Sequence, residues 1–276
     1  MTSFRSTRMS GIAKSVIPIL SSAIHALRMD GLARYSEMGS AMLQGKGAGS
    51  GWDLDAEVHA AARCIPRHNP VLLDVGANYG QWSIGMARHF PAAQKLVLFE
   101  PQPECVETLH GLKLPGQIIV AGGAGDRRGT QPFFVGLPGW QAASLYQRTE
   151  TFFTAMAQRQ ITVDVYTIDE VMAELKIDFV DFAKLDIEGA ELLALKGASG
   201  TLGRRAIAAL SFEFGSGNIN SRTFFRDFWD LLTGYGFEIY RVLPSGGVVR
   251  IRAYYEDLEY FRGASNYVAR LPGISA

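Results

Sequence analysis

The chain has 276 residues, of which 47% are hydrophobic and 20% charged, a composition typical of one globular domain with or without an appendage. Its 27 basic and 27 acidic residues balance, which argues against nucleic acid as a partner. Cys64 and Cys105 show no metal-ligand spacing. We therefore expect two buried free thiols and a cytoplasmic protein rather than a disulfide.

The first fifty residues predict a helical extension that ends in a glycine-rich linker. The apolar run at 14–27 is interrupted by Pro18 and His25, and it falls short of the roughly 20 apolar residues of a membrane span. We expect a surface-packed or partner-facing helix here, and a weak contact with a membrane surface is the alternative. Residues 39–57 read as a linker, so we place an extension at 1–50 and the main domain at 51–276.

From residue 54 onward, strand and helix patterns alternate along the chain. Helices are predicted at 54–65, 81–90, 103–112, 190–202 and 223–236. The segment 161–175 is predicted to begin as a strand and to end as a helix. Strands are predicted at 71–75, 95–100, 116–125, the start of 161–175, 178–189, 206–214, both sides of a turn at 245–247, and 266–270. Continuous apolar strands that alternate with helices predict a mostly parallel sheet covered on both faces. Ligands of such α/β folds bind beyond the carboxyl ends of the strands.

The loop after the first strand, Asp-Val-Gly-Ala-Asn-Tyr-Gly at 74–80, has the features of a ligand cradle. Its glycines remove side chains that would block a ligand, and the next helix offers free backbone N–H groups. Glu100 ends the following strand about twenty residues later, a spacing typical of an acid that accepts hydrogen bonds from ribose. The pattern departs from G-x-G-x-x-G, and Asp74 would favour a cationic sulfonium over a pyrophosphate. S-adenosylmethionine is thus the predicted cofactor, with a nicotinamide-dependent oxidoreductase as the alternative.

A charged segment ends the strand predicted at 178–189. Lys184, Asp186 and Glu188 alternate and are therefore predicted to share a face, with Glu191 close behind. Glu213 ends another apolar strand. Buried charges are costly unless they pair or serve a ligand, so two interpretations stay open. One is an ion-pair network around Lys184 with the acids capping the next helix, and the other is a catalytic cluster.

Four segments in this order, VLLDVGANYG, LVLFEPQPE, VDFAKLDIEGAELLALKGA and LSFEF, resemble the FkbM-family S-adenosylmethionine-dependent methyltransferases, and NYVAR resembles that family's closing motif. The resemblance covers roughly 71–270. It implies a Rossmann-like class I methyltransferase fold with a mostly parallel seven-stranded sheet. It also implies methylation of hydroxyl oxygens, frequently on sugars or other secondary metabolites.

Carried onto matching positions, the resemblance implies a role for each of nine residues. The methionine part of the cofactor would lie against Asp74, Gly76, Asn78 and Gly80, the ribose against Glu100, the adenine against Gly125 and Asp126, and the transferred methyl against Asp186 and Glu188.

Methyl transfer to an alcohol requires an aligned acceptor and a base for its proton. None of the five histidines lies in these motifs, so we predict a carboxylate base, Asp186 first, with Glu188 or Glu213 as helper. A variant, not the prediction, has Asp186 and Glu213 binding a divalent ion that orients the acceptor.

The predicted partner is a small-molecule or glycan hydroxyl acceptor, and no oligomeric state is predicted. Residues 140–148 and 212–229 are expected to shape its pocket, although the aromatic residues of the second segment fit a helix core equally well. The remaining alternative is a non-catalytic cofactor-binding scaffold that docks through its N-terminal helices.

Overall fold

The computed structural model describes residues 11–47, 54–136, 141–149 and 157–273. Within it the chain forms two compact units, 1–44 and 45–276. The first unit contains the helices α1 (Gly11–Ala26) and α2 (Asp30–Leu43). Among the described residues, none of the helices combines the length and apolarity needed to cross a bilayer.

Part of the predicted linker is helical, which corrects the expectation for 39–57. Residues 39–43 form the last turns of α2, because one glycine costs a helix only about 1 kcal/mol and the residues after it are compatible with helix. The last four residues of the predicted linker, 54–57, form the first turn of the helix α3 (Leu54–Arg63). Residues 48–53 of the predicted linker lie outside the described residues.

The described residues of the second unit form eleven strands in two sheets. They are β1 (Val71–Val75), β2 (Lys95–Phe99), β3 (Gln117–Val120), β4 (Gly123–Ala124), β5 (Gly129–Val135), β6 (Arg159–Tyr166), β7 (Val180–Leu185), β8 (Ile207–Phe214), β9 (Glu238–Val242), β10 (Val248–Ile251) and β11 (Ser265–Arg270). The main sheet has the order β10-β9-β11-β8-β7-β1-β2-β3. The five strands from β8 to β3 pair in parallel, and β11 is antiparallel to both of its neighbours.

This sheet confirms the predicted α/β class, with two differences of detail. It has eight strands where seven were predicted, since β10 folds back on β9 as the second arm of the hairpin. The strand predicted at 116–125 divides into β3 and β4, and β4 joins a small second sheet with β6 and β5. No strand was predicted at β5, whose sequence carries Pro132 in its middle, and proline is ordinarily confined to edge strands.

Helices cover both faces of the main sheet. Besides α3 they are α4 (Gln81–His89), α5 (Pro103–Leu112), α6 (Ile168–Glu174), α7 (Glu191–Lys196), α8 (Ser199–Gly203), α9 (Gly217–Ser221) and α10 (Phe225–Gly234), with a short 3₁₀ turn at Glu256–Glu259. Leu73 and Val75 of β1 pack in the cluster that contains α6, α7 and α10, whereas Leu72 packs with α3, α4 and α5. Since both faces are covered, any charged side chain in the central strands must find a partner inside the protein.

The helix predicted at 190–202 is two short helices. The carboxylate of Asp169 accepts the backbone N–H groups of Gly200 and Thr201 at 2.7 and 2.8 Å. A side-chain oxygen at this place satisfies donors that a helix start leaves free, so α8 begins anew after α7 ends. The alternation of strand and helix is unaffected by this break.

The aromatic residues predicted to shape the acceptor pocket lie mostly in the core. Phe212 stacks on Phe228 with ring centroids 4.8 Å apart, and Tyr267 of β11 stacks on Phe212 at 5.4 Å. All three side chains are fully buried. The second of the two interpretations given for 212–229, a helix core, therefore holds for these rings.

We expect Phe228→Ala to lower the free energy of unfolding by about 3–5 kcal/mol, because a buried ring is replaced by a cavity. Urea denaturation followed by circular dichroism measures this. Phe224→Ala is the control, since this ring is 62% exposed and its loss should change stability by less than about 0.5 kcal/mol. Equal effects of the two substitutions would contradict the packing described here.

Candidate active site

The loop between β1 and α4 joins the carboxyl ends of three central strands. The backbone N–H groups of Gly76 and Ala77 both donate to the Phe99 carbonyl of β2 at 3.0 Å. Gly76 has φ +87°, and a Cβ built there would overlap the backbone oxygen of Asp186, just past β7. Only glycine combines this left-handed backbone with so close an approach. The loop residue is therefore fixed against the predicted catalytic residue.

Glu100, the predicted ribose ligand, is buried at the end of β2 beside this loop. It is 2% exposed, and its two carboxylate oxygens accept backbone N–H groups of Asn78 and Gln102 at 2.7 and 2.8 Å. Burial raises the pKa of Glu100 to about 7, although these two hydrogen bonds oppose the shift. Each carboxylate oxygen keeps a further lone pair, so the group retains capacity to accept hydrogen bonds from a diol.

A cavity opens over this loop. We call it the Gly76 cavity. Its lining comprises Gly76, Asn78, Phe99, Glu100, Pro101, Gln102, Gly123, Ala124, Phe133, Gln141, Ala143, Leu145, Asp186, Ile187 and Ala190. Four predicted cofactor residues, Gly76, Asn78, Glu100 and Asp186, thus meet in one cavity.

Three other predicted cofactor residues, Gly80, Gly125 and Asp126, are not among the described residues that line this cavity. Gly80 begins α4 with its N–H bonded to the Ala77 carbonyl at 2.7 Å. Gly125 donates its N–H to Tyr166 in the small sheet at 3.0 Å, and Asp126 is exposed beyond it. Because β4 ends in this pairing, the positions facing the cavity are the two before it, Gly123 and Ala124.

Asp74, predicted to lie along the methionine part of the cofactor, is also not among the described residues that line the cavity. The side chain is fully buried, accepts a hydrogen bond from the Ser83 hydroxyl at 2.6 Å, and faces Lys184 at 3.7 Å between Oδ1 and Nζ. Since Asp74 and Lys184 are register partners on β1 and β7, the acid serves a cross-strand ion pair below the cavity. Asp74 therefore does not line the Gly76 cavity.

Lys184 is shared between two acids. Its Nζ lies 3.0 Å from Oδ2 of Asp186, which is 37% exposed at the strand end. Burial lowers the pKa of Lys184, but Asp186, Asp74 and Glu57 together raise the pKa of this lysine above its ordinary value. The lysine is therefore charged at neutral pH. The ion-pair network that the sequence allowed is present, and Asp186 belongs both to it and to the cavity wall.

Three acids, Asp186, Glu188 and Glu213, come together at this edge, with carboxylate oxygens within 4.8 Å of one another. The alternation of a strand does not bring Asp186 and Glu188 together, because β7 ends at Leu185. Glu188 has a left-handed backbone, φ +54°. Burial and the neighbouring acids, Glu188 first, raise the pKa of Glu213 well above its ordinary value.

Glu188 is tied to a segment that sequence patterns left undefined. Arg148, 3% exposed, donates to Oε2 of Glu188 at 2.5 Å and to the Ser216 hydroxyl at 2.8 Å. The hydroxyl of Ser144 donates to the Glu188 carbonyl at 2.8 Å. Residues 141–149, which supply part of the wall of the Gly76 cavity, are thereby anchored to the turn after β7. Trp140, at the start of the predicted acceptor segment, lies outside the described residues.

Glu191 shapes that turn. Its carboxylate accepts the backbone N–H groups of Ile187 at 2.9 Å and of Gly189 at 2.9 and 3.1 Å. Burial raises the pKa of Glu191 to about 8, although these hydrogen bonds oppose the shift. The acid thus satisfies backbone donors at the start of α7, as the structural interpretation predicted.

A second, smaller cleft lies on the α3 side of the sheet, and we call it the Glu57 cleft. Its lining comprises Glu57, Lys184, Leu185, Asp186, Ser211, Phe212, Val242, Asn266 and Val268. Asp186 therefore borders both spaces. Glu57 and Asn266 were not predicted as site residues, since an acid in the first turn of a helix ordinarily reads as solvated. Asn266 was noted only within the closing motif.

The fold is that of a Rossmann-like class I methyltransferase. The Methyltransferase FkbM domain model matches residues 74–239, and the chain belongs to this methyltransferase family. The match favours methyl transfer over the nicotinamide alternative.

Proteins that are similar to this chain over part of its length are methyltransferases by name. Methyltransferase sdnD of Sordaria araneosa is 29% identical over 157 residues, which are 47% of this chain and 60% of that protein. The crystal structure of methyltransferase FkbM from Methylobacillus flagellatus KT is similar at 19% identity and a TM-score of 0.44, over 73% of this chain and 44% of that one. The crystal structure of a precorrin-6y C5,15-methyltransferase from Geobacter metallireducens GS-15 is similar at 10% identity and a TM-score of 0.41. The similarity covers 76% of this chain and 84% of that one. This chain spans less than two thirds of the first two relatives.

We expect Gly76→Ala to destabilise the protein and to abolish ligand binding in the Gly76 cavity. The left-handed backbone alone costs alanine about 1–2 kcal/mol, and the overlap with the Asp186 carbonyl adds to this. Urea denaturation measures the first effect and calorimetric titration the second. Gly111→Ala is the matched control, because this glycine of α5 has open space around it and alanine should raise stability by about 0.5–1 kcal/mol. A stable Gly76→Ala protein would contradict the close packing of the loop.

Proposed function

We propose that this protein is an S-adenosylmethionine-dependent O-methyltransferase that acts on a hydroxyl of a sugar, a glycan or another secondary metabolite. One observation carries the proposal: Asp186 stands between the Gly76 cavity and the Glu57 cleft. A group transfer needs donor and acceptor on two sides of one reacting centre. The two spaces meet that requirement, and the family supplies the type of reaction.

The Gly76 cavity is the proposed cofactor site. Glu100 would accept the ribose hydroxyls through its remaining lone pairs, as its spacing from the loop predicted. Gly76, Asn78 and Asp186 would lie along the methionine part. The adenine would lie against Gly123 and Ala124, which replace the residues predicted two positions later.

The acid in the cavity wall suits a cationic cofactor. Asp186 lines the Gly76 cavity, and its carboxylate would attract a sulfonium. When bound, S-adenosylmethionine supplies an activated methyl group on a positively charged sulfur.

The acceptor would enter the Glu57 cleft and present its oxygen to the methyl beside Asp186. Ser211 offers a neutral polar side chain there, which suits hydrogen bonding to an uncharged polyol. Asp186 would orient the reacting hydroxyl, in keeping with its predicted catalytic place. The proposed role of Glu188 shifts from helper base to anchor, because Arg148 occupies its carboxylate.

We expect Asp186→Asn to bind S-adenosylhomocysteine within about threefold of the wild-type affinity but to lose about 10²-fold or more in turnover. Turnover is detected as a mass gain of one methylene unit in a panel of glycans, nucleotide sugars and hydroxylated natural products. Asp178→Asn is the control, since this exposed acid lies at the opposite end of β7. Unchanged turnover in Asp186→Asn would remove Asp186 from the reaction. Binding of S-adenosylhomocysteine without turnover of any compound by the wild-type protein would favour the scaffold alternative.

The acid cluster would also suit a hard divalent ion, since carboxylate oxygens are its preferred ligands. Two of the three acids are already paired, Asp186 with Lys184 and Glu188 with Arg148, so an ion would have to displace these contacts. We therefore expect EDTA to leave turnover unchanged, and Mg²⁺ titrated into the protein with S-adenosylhomocysteine to give no saturable heat. Loss of activity with EDTA and its recovery with Mg²⁺ would instead assign an ion to the cluster.

A further inference from the structure

Glu57 differs from the paired acids of the site in its hydrogen-bond partner, which is a neutral amide. It comes from the first turn of α3 and lines the Glu57 cleft together with Asp186 and Lys184. Its Oε1 accepts a hydrogen bond from Nδ2 of Asn266 at 2.5 Å. Both Glu57 and Asn266 lie outside residues 74–239, where the family model matches, so family membership assigns them no role.

Three other carboxylates of the site have existing functions within the protein, and Glu213 is not among the residues that line the Gly76 cavity or the Glu57 cleft. Asp186 is paired with Lys184 at 3.0 Å, and Glu188 with Arg148 at 2.5 Å. Glu191 is surrounded by the backbone donors of its own turn. In contrast, Glu57 is hydrogen-bonded to a neutral amide, through one of its two oxygens. Its second oxygen is the acceptor that the cleft can offer to a bound hydroxyl.

We propose that Glu57 is the general base of the methyl transfer, and that Asn266 is a positioning residue that orients its carboxylate; this rests on the function proposed above. As the acceptor oxygen forms its bond to the methyl carbon, the carbon–sulfur bond breaks and its electron pair stays on sulfur. The acceptor proton passes to Glu57. The products are the methyl ether, S-adenosylhomocysteine and a protonated Glu57, which releases its proton to solvent.

The charges around Glu57 suit this task. Burial raises the pKa of Glu57 to about 7; the Lys184 ammonium lowers it, Asp186 and Asp74 raise it, and the Asn266 hydrogen bond lowers it. Glu213 on β8 interacts with it as well. A base works best when its pKa is near the working pH. Because the ionised form accepts the proton, activity should rise as the pH increases through about 7 and then level off.

The test compares Glu57→Gln with Asp55→Asn, an exposed acid of the same helix. S-adenosylhomocysteine binding is measured first by calorimetry, and turnover is then followed as S-adenosylhomocysteine released with a pooled panel of glycans and hydroxylated natural products. We expect Glu57→Gln to keep its affinity, to lose about 10²-fold or more in turnover, and to lose the rise with pH. Asp55→Asn should match the wild-type protein throughout.

Asn266→Ala tests the positioning role. We expect a lower kcat with little change in KM, and a displaced midpoint of the pH profile, because the carboxylate loses its hydrogen bond. Asn266→Asp is a poor substitute, since it adds an acid to a crowded site. Thermal unfolding of each variant shows whether it is folded.

A second measurement needs no acceptor. In protein labelled with carbon-13 glutamate, the signal absent from Glu57→Gln identifies Glu57, and its titration should have a midpoint near 7. A midpoint close to the ordinary value of about 4.3, or turnover of Glu57→Gln within about threefold of wild type, would overturn the base role. Failure of the wild-type protein to bind S-adenosylhomocysteine would instead overturn the proposed function.

Discussion

The ion pairs of Lys184 are the constraint on which the site depends. The lysine lies inside a parallel sheet covered by helices on both faces, where an unpaired charge is strongly destabilising. Asp74 on the neighbouring strand faces its ammonium from below, and Asp186 faces it from the strand end. The pairing connects β1 to β7 through side chains as well as backbone. It also fixes Asp186, which lines both the Gly76 cavity and the Glu57 cleft.

The close contact between Gly76 and the Asp186 carbonyl gives this arrangement its second fixed point. The lysine orients the side chain of Asp186, and the glycine loop lies against its backbone. Arg148 then connects residues 141–149 to Glu188 two positions further on. Strand ends, loop and cavity wall therefore form one bonded assembly. Precise alignment of donor and acceptor, which methyl transfer requires, would follow from the rigidity of that assembly.

The sequence predicted the parts of the site that depend on local pattern. Gly76, Asn78 and Glu100 were found because glycine spacing and a strand-end acid are readable along one segment. Asp74 was assigned to the cofactor for the same reason, but its role is set by Lys184, about 110 residues away. Glu57 and Asn266 carried no signal, since their proximity arises only when α3 packs over β11. The residues predicted for the adenine lie just past Gly123 and Ala124, which line the cavity, because the pairing of β4 with β6 is a long-range contact.

The central claim is that Asp186 separates a cofactor site from an acceptor site. A crystal structure of the protein with S-adenosylhomocysteine tests it most directly. The account predicts the nucleoside in the Gly76 cavity, with both ribose hydroxyls bonded to Glu100 and the sulfur directed past Asp186 toward the Glu57 cleft. Density for the nucleoside in the Glu57 cleft, or a sulfur directed away from Asp186, would contradict the account.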